Sequence, residues 1–229
     1  MDKYLYLTIN LASILVPFLA SFYPKHPFYK EWINHFLANT IVAILFIIWD
    51  IIFTNYGVWS FNPRYLLGTN FYSIPLEEVF FFFFIPYSSV FVYFALNYLS
   101  PSNPFEKYAN RFTVFLFILL LSIGTLFWNR LYTSITFILS ACFLIFSYLR
   151  KINLANIYRA YLFILLPFFI VNGILTGSFI EEPVVKYNNA QNLGIRLGTI
   201  PFEDVFYGFL LIAATIQLSE FFKMKIIKK

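Results

Sequence analysis

Charge is what this chain has least of: Asp, Glu, Lys and Arg together make up 12% of its 229 residues, and only 11 of them are acidic. A soluble globular domain carries about a quarter charged residues. With 60% hydrophobic residues and a mean hydropathy of +0.73, the composition excludes such a domain and indicates an integral membrane protein. Cysteine is almost missing too. Cys142 stands alone inside an apolar run, which rules out a disulfide framework and a cysteine-based metal site. The two histidines, His26 and His35, sit near one loop without a partner at metal-ligand spacing, and an interfacial role suits His35 better than ligation. No aspartate-rich DDxxD, GxGxxG, Walker A or GxSxG pattern occurs, so no metal or nucleotide cofactor is implied.

What the chain does have is long hydrophobic runs, at about 4–22, 35–54, 76–98, 111–128, 131–149, 160–180 and 202–222. A spanning helix takes roughly 20 apolar residues, so the runs predict an all-α polytopic transmembrane bundle of about seven helices. Only Asn129 and Arg130 separate the fourth and fifth runs; merging them would leave six. The first run lacks a small-residue cleavage motif and reads as a retained span, not a signal peptide. The net charge of +5 and pI near 9.2 fit membrane topology better than nucleic acid. Eleven of the 16 basic residues fall on one side (Lys25, Lys30, Lys107, Arg111, Arg150, Lys151, Arg159, Lys223, Lys225, Lys228 and Lys229). By the positive-inside rule the C-terminus is cytoplasmic in a multi-pass protein of the cell membrane.

Two stretches read almost alike, "IPLEEVF" from Ile74 and "IPFEDVF" from Ile200. A shift of 126 residues superimposes them, and the same shift sets Leu5-Tyr6 on Leu131-Tyr132 and Leu67-Gly68 on Leu193-Gly194. A shift of 122 aligns "DIIFT" from Asp50 with "NGILT" from Asn172. The chain therefore divides into a first repeat at 1–98, a connector helix at 99–129 and a second repeat at 130–229. Starting four helices apart, the two three-helix repeats have the same orientation in the membrane. Both acidic pairs then end on one side, the non-cytoplasmic one, where the two units can face each other around one cavity.

Proline and acids at a helix start can serve capping alone, since proline lacks the unbonded amide and carboxylates favour the positive end of the dipole. Yet four of the 11 acids occupy these two places, each ahead of large apolar residues. Ionisable groups near the hydrocarbon boundary are costly and point to function. Glu77, Glu78, Glu203 and Asp204 are the catalytic candidates, as acids and bases acting on an apolar substrate. Adjacent residues lie about 100° apart on a helix, so one of each pair can face inward; the sequence does not say which. Asp50 and its counterpart Asn172 are candidates for lining the site, with interhelical hydrogen bonding as the other reading. Trp59, in the loop "YGVWSFNP", either covers the cavity mouth or anchors at the interface. Aromatics reach 23% of the chain; those one turn after the acids, Phe81 and Tyr207, can form π-faced walls that stabilise a cation.

Asp50, then "GVW", "FNP", "LLG" and "IPLEEVFFFF", followed by Asn172, "LG" and "IPFEDVFYGF", resembles the membrane-embedded, two-part lycopene cyclase family in its fused form, over almost the whole chain. The resemblance implies a lycopene β-cyclase, closing the linear ends of lycopene into β-ionone rings, by way of γ-carotene to β-carotene, without net redox change. An acid of the paired motif would protonate the terminal double bond and a base would remove a proton after ring closure. A related cyclase giving another ring isomer or a single ring, and a small membrane transporter, are the alternatives. The substrate would be a polyene inside the bilayer, with self-association or association with other carotenoid enzymes open to the protein. The second loop, "SFIEEPVVKYNNAQNLGIRLG", is longer and has no counterpart to Trp59, so the two halves need not be equivalent.

Overall fold

The computed structural model describes residues 2–227, with side chains through Lys225; Lys228 and Lys229 of the basic C-terminus lie outside the described residues. Among the described residues, seven helices are long and apolar enough to cross a membrane. They are α1 (Leu5–Ala20), α2 (Trp32–Asn55), α3 (Leu76–Leu99), α4 (Ala109–Leu126), α5 (Leu131–Leu149), α6 (Ala155–Leu175) and α7 (Phe202–Ile227). A 3-10 turn, Asp2–Tyr4, extends α1 to spanning length. The break between α4 and α5 is real, which makes the count seven. Helix α6 starts and ends earlier than its apolar run, and its start is displaced because Arg159 lies inside it. That buried guanidinium donates to the Ser100 and Ser102 carbonyls at 2.6 and 3.0 Å and to Asn97 Oδ1 at 2.8 Å, so a hydropathy boundary drawn at the charge comes too late. At the other end, the turn after α6 needs the left-handed conformation of Gly177, φ 113°.

Helix α1 packs on α3 and α5 on α7, while α2 of the first unit lies against α7 of the second and α3 lies against α6. The units thus exchange partners around a shared centre. Helix α4 runs along α5, and Gly124 permits the approach: a Cβ there would sit 3.0 Å from Ile138 Cγ1. In lipid, helices gain little from hydrophobicity towards one another, so polar bonds worth up to about 1–2 kcal/mol each hold the interfaces. Asn39 Nδ2 donates to the Phe83 carbonyl at 3.0 Å, Gln217 Nε2 to Ser147 Oγ at 3.0 Å, and Ser21 Oγ shares a proton with Tyr87 Oη at 2.7 Å. Proline within α1 is accommodated in the same way. Pro17 cannot donate to the Ser13 carbonyl, and Ser88 Oγ of α3 does so instead at 2.9 Å.

Six short strands shape the acidic end. The hairpin of β2 (Asn70–Phe71) and β3 (Ile74–Pro75) recurs 126 residues on as β5 (Arg196–Leu197) and β6 (Ile200–Pro201). Each hairpin feeds straight into a helix, and Leu76 and Phe202 donate their amides to the Thr69 and Ile195 carbonyls. Strands β1 (Trp59–Phe61) and β4 (Val185–Tyr187) come from different repeats and pair antiparallel, Trp59 opposite Tyr187. The loops of the two units are therefore stitched together over the bundle.

Candidate functional site

Each acidic pair opens a helix, but not with proline at its first helical position. Pro75 is the extended residue ahead of α3, and no side chain caps that helix. Simple capping therefore does not account for the first pair. The members of each pair separate instead. Glu77 and Glu203 are fully buried and turn back to the preceding loop, where Glu77 Oε1 accepts the Leu67 amide at 2.6 Å and Glu203 Oε1 the Leu193 amide at 2.7 Å. Thr133 Oγ1 donates to the same Glu203 oxygen at 2.6 Å. The two loop anchors are equivalent under the 126-residue shift.

Glu78 and Asp204 turn the other way, into one cavity of about 470 Å³. Tyr6, in the first turn of α1, donates its phenol proton to Glu78 Oε2 at 2.5 Å. Tyr132, at the matching place in α5, does the same to Asp204 Oδ1 at 2.5 Å. The halves then diverge. Tyr187, brought in by β4, donates to Asp204 Oδ2 at 3.0 Å, whereas Glu78 Oε1 has no protein partner among the described residues. Burial, reinforced by the neighbouring Asp204, pushes the Tyr187 phenol well above its ordinary range, so it remains a donor. A third carboxyl, Asp50 near the end of α2, accepts from Trp59 Nε1 at 2.5 Å and keeps Oδ2 unbonded.

All the remaining predicted lining residues meet here: Asp50, Asn172, Trp59, Phe81 and Tyr207 face the same cavity as Glu78 and Asp204. Glu77 and Glu203 do not. Trp59 is buried as a lining residue and carboxyl partner, not exposed as an interfacial anchor. Aromatic rings dominate this end: Trp49 stands 4.9 Å from Tyr207 between centroids, Trp59 5.2 Å from Tyr132, and Tyr132 stacks on Tyr187 at 5.8 Å. Among the described residues no Lys or Arg side chain lines the cavity. Three carboxyl groups thus share an apolar, aromatic chamber without a positive partner among the described residues, a setting in which charge is costly.

Sequence reasoning passed over the three phenols as functional groups. Tyr6 and Tyr132 carried a signal, since they coincide under the repeat shift; Tyr187 carried none, because its place depends on strand pairing between the halves. The histidines lie apart from the site. His26 stacks between Phe94 and Tyr98, 4.2 Å from each. His35 is not interfacial but wholly buried among Phe28, Phe36 and Tyr87, where the ring face replaces water. Among the described residues no cluster of His, Cys, Asp and Glu could hold a metal ion.

Compared with known families, the chain matches the model described as lycopene cyclase twice, over residues 3–96 and over residues 129–222. Each match spans one three-helix unit and leaves α4 between them. Among curated proteins and among solved structures nothing matches the chain significantly.

Proposed function

Because the chain belongs to the lycopene cyclase family and is a carotenoid cyclase, we propose that it closes β-ionone rings at the ends of lycopene, with Glu78 as acid and Asp204 as base. One observation carries the assignment: of the four paired acids, these two face a single apolar, aromatic chamber. Glu78 is the proton donor in this reading because Oε1 is free of protein partners on the cavity side. The π electrons of the terminal double bond take its proton, leaving a tertiary cation. The π pair of a neighbouring double bond attacks that cation, closes the ring and moves the positive charge to a ring carbon. Asp204, held by two phenols, removes an adjacent proton, and the C–H electrons become the new ring double bond. One proton enters and one leaves, so no redox partner is needed.

The rings around the chamber stabilise the passing cation through their faces without offering it a nucleophile. Asp50, fixed by Trp59 and with Oδ2 unbonded, adds a third carboxyl to the same end and supports the two reacting ones. The position of the base relative to the ring selects which adjacent proton leaves, and so the ring isomer. On the topology read from the sequence, eleven of the 16 basic residues belong to the side opposite the paired acids. This supports a cytoplasmic C-terminus and a chamber near the outer face. The test is expression in a lycopene-accumulating bacterium followed by pigment chromatography. The expected product is β-carotene, with the one-ringed γ-carotene on the way; unchanged lycopene would contradict the proposal, and an ε-ring product would refute the β assignment.

A further inference from the structure

The duplication would allow two equivalent chambers, yet Glu78 of one repeat and Asp204 of the other face the same one. Below the acids the cavity continues between α1, α3, α6 and α7. From Glu78 to Val92, both of which line it, is 14 residues of helix, about 21 Å at 1.5 Å per residue. This is an elongated apolar trough and not a compact pocket. Ala12 of α1 and Pro167 and Ile170 of α6 line it while being exposed on the outside of the bundle. No hydrogen bond joins α1 to α6 among the described residues, although α1 is tied to α3 by Asn10, Ser21 and the Ser13 carbonyl. The trough therefore opens sideways through the α1/α6 seam.

The matching space in the other half is filled. Where α6 has Val171, the shift that pairs Asn172 with Asp50 puts Trp49 in α2. Where α7 has Gly208, the shift that pairs Tyr207 with Phe81 puts Phe82 in α3. Phe82 is buried in a cluster with Val42 and Phe46, its ring 6.1 Å from Phe46, and Trp49 packs 5.3 Å from the same Phe46 ring. On the open side Gly208 lets α6 come close: a Cβ there would meet Tyr161 Oη at 3.3 Å and Phe168 Cε2 at 3.4 Å. Two substitutions between the repeats, Trp to Val and Phe to Gly, thus hollow one half and plug the other.

We propose that the α1/α6 seam is a lateral portal through which one arm of a linear polyene hydrocarbon passes from the bilayer into the trough, and that each chain holds a single polyene, one end at a time. A polyene arm fits this trough, which is apolar, opens where lipid would be, and ends at three carboxyl groups. The identity of the polyene rests on the cyclase reading; the portal does not.

The full-length protein, purified from lycopene-accumulating cells, is assayed for polyene absorbance per mole of protein and for ring products. Val171→Trp rebuilds the plug of the other half, and Ala12→Trp blocks the mouth from the surface, where folding is least at risk. Each should cut bound polyene about tenfold or more, because an elongated ligand cannot share a filled trough. Ile44→Trp, on an exposed face of α2 away from the cavity, should bind as the unaltered protein does, at no more than one polyene per chain. Elution position in detergent verifies folding. Bound polyene lost in both seam variants supports the portal even if no ring ever forms, in which case only the cyclase reading fails. Seam variants that bind and cyclise normally would overturn the portal and leave the cyclase intact. Two polyenes per chain, or none in the unaltered protein, would also overturn it.

Discussion

At the scale of residues, neighbours of like chemistry have been given different work by 100° of helix. Glu77 and Glu203 hold loop amides, while Glu78 and Asp204 hold phenols and face the chamber. Truncating Glu77 to Ala leaves the part-buried Leu67 amide without its acceptor, a loss of about 0.5–1.5 kcal/mol, so the unfolding midpoint in detergent should fall. Glu77→Gln keeps an acceptor and should fall much less; equal losses would argue against the anchoring role. The sequence made the acids conspicuous through repetition and scarcity. It could not say which of each pair turns inward, because that depends on where the preceding hairpin brings an amide. Tyr187 was invisible for a related reason, since a tyrosine in a polar loop shows nothing until its strand is paired with the other half.

At the scale of elements, hydropathy located every helix, and its errors were at charged or turning positions that the fold satisfies locally. Arg159 displaced the start of α6, and Gly177 terminates the same helix before the apolar run ends. The strands were not legible at all. Six segments of two or three residues carry no periodicity; four of them close local hairpins, and β1 and β4 form only because two loops meet over the bundle. The β1/β4 crossing is flanked by exposed charge: Glu182 accepts from Asn62 Nδ2 at 2.8 Å and Lys186 Nζ at 3.1 Å, and Lys186 in particular holds its carboxyl below the ordinary value. A lowered folded-state pKa adds stability that is present above the unfolded value and is lost as pH falls through the folded one. Limited proteolysis of the 177–198 loop should therefore be insensitive to pH between 6 and 8 and accelerate only in acid below the usual carboxylate range. Because the pair is exposed, the effect should be small and shrink with added salt; acceleration near neutrality would mean another group controls the loop.

At the scale of the whole molecule, neither half owns the site. The first unit supplies Tyr6, Asp50, Trp59 and Glu78, and the second Tyr132, Tyr187, Asp204 and Tyr207. The repeat was legible as a constant shift along the sequence. What it hid is that α2 and α3 pack against the other unit's α7 and α6, and that the duplicated spaces differ, one open and one plugged. Cutting the chain in the exposed segment near Glu106, between α3 and α4, should give two pieces that form rings only when produced together. Activity from either piece alone would contradict a shared site. Whether one acid of each pair does the chemistry while the other holds the loop is decided by ring formation from lycopene in Glu78→Gln, Asp204→Asn, Glu77→Gln and Glu203→Gln, at matched protein level. Loss of a general acid or base costs about 10²–10⁴-fold; that loss is expected for the first two, with the last two retaining most activity. Full activity in Glu78→Gln and Asp204→Asn, or its loss in Glu77→Gln and Glu203→Gln with the fold intact, would contradict this division of work.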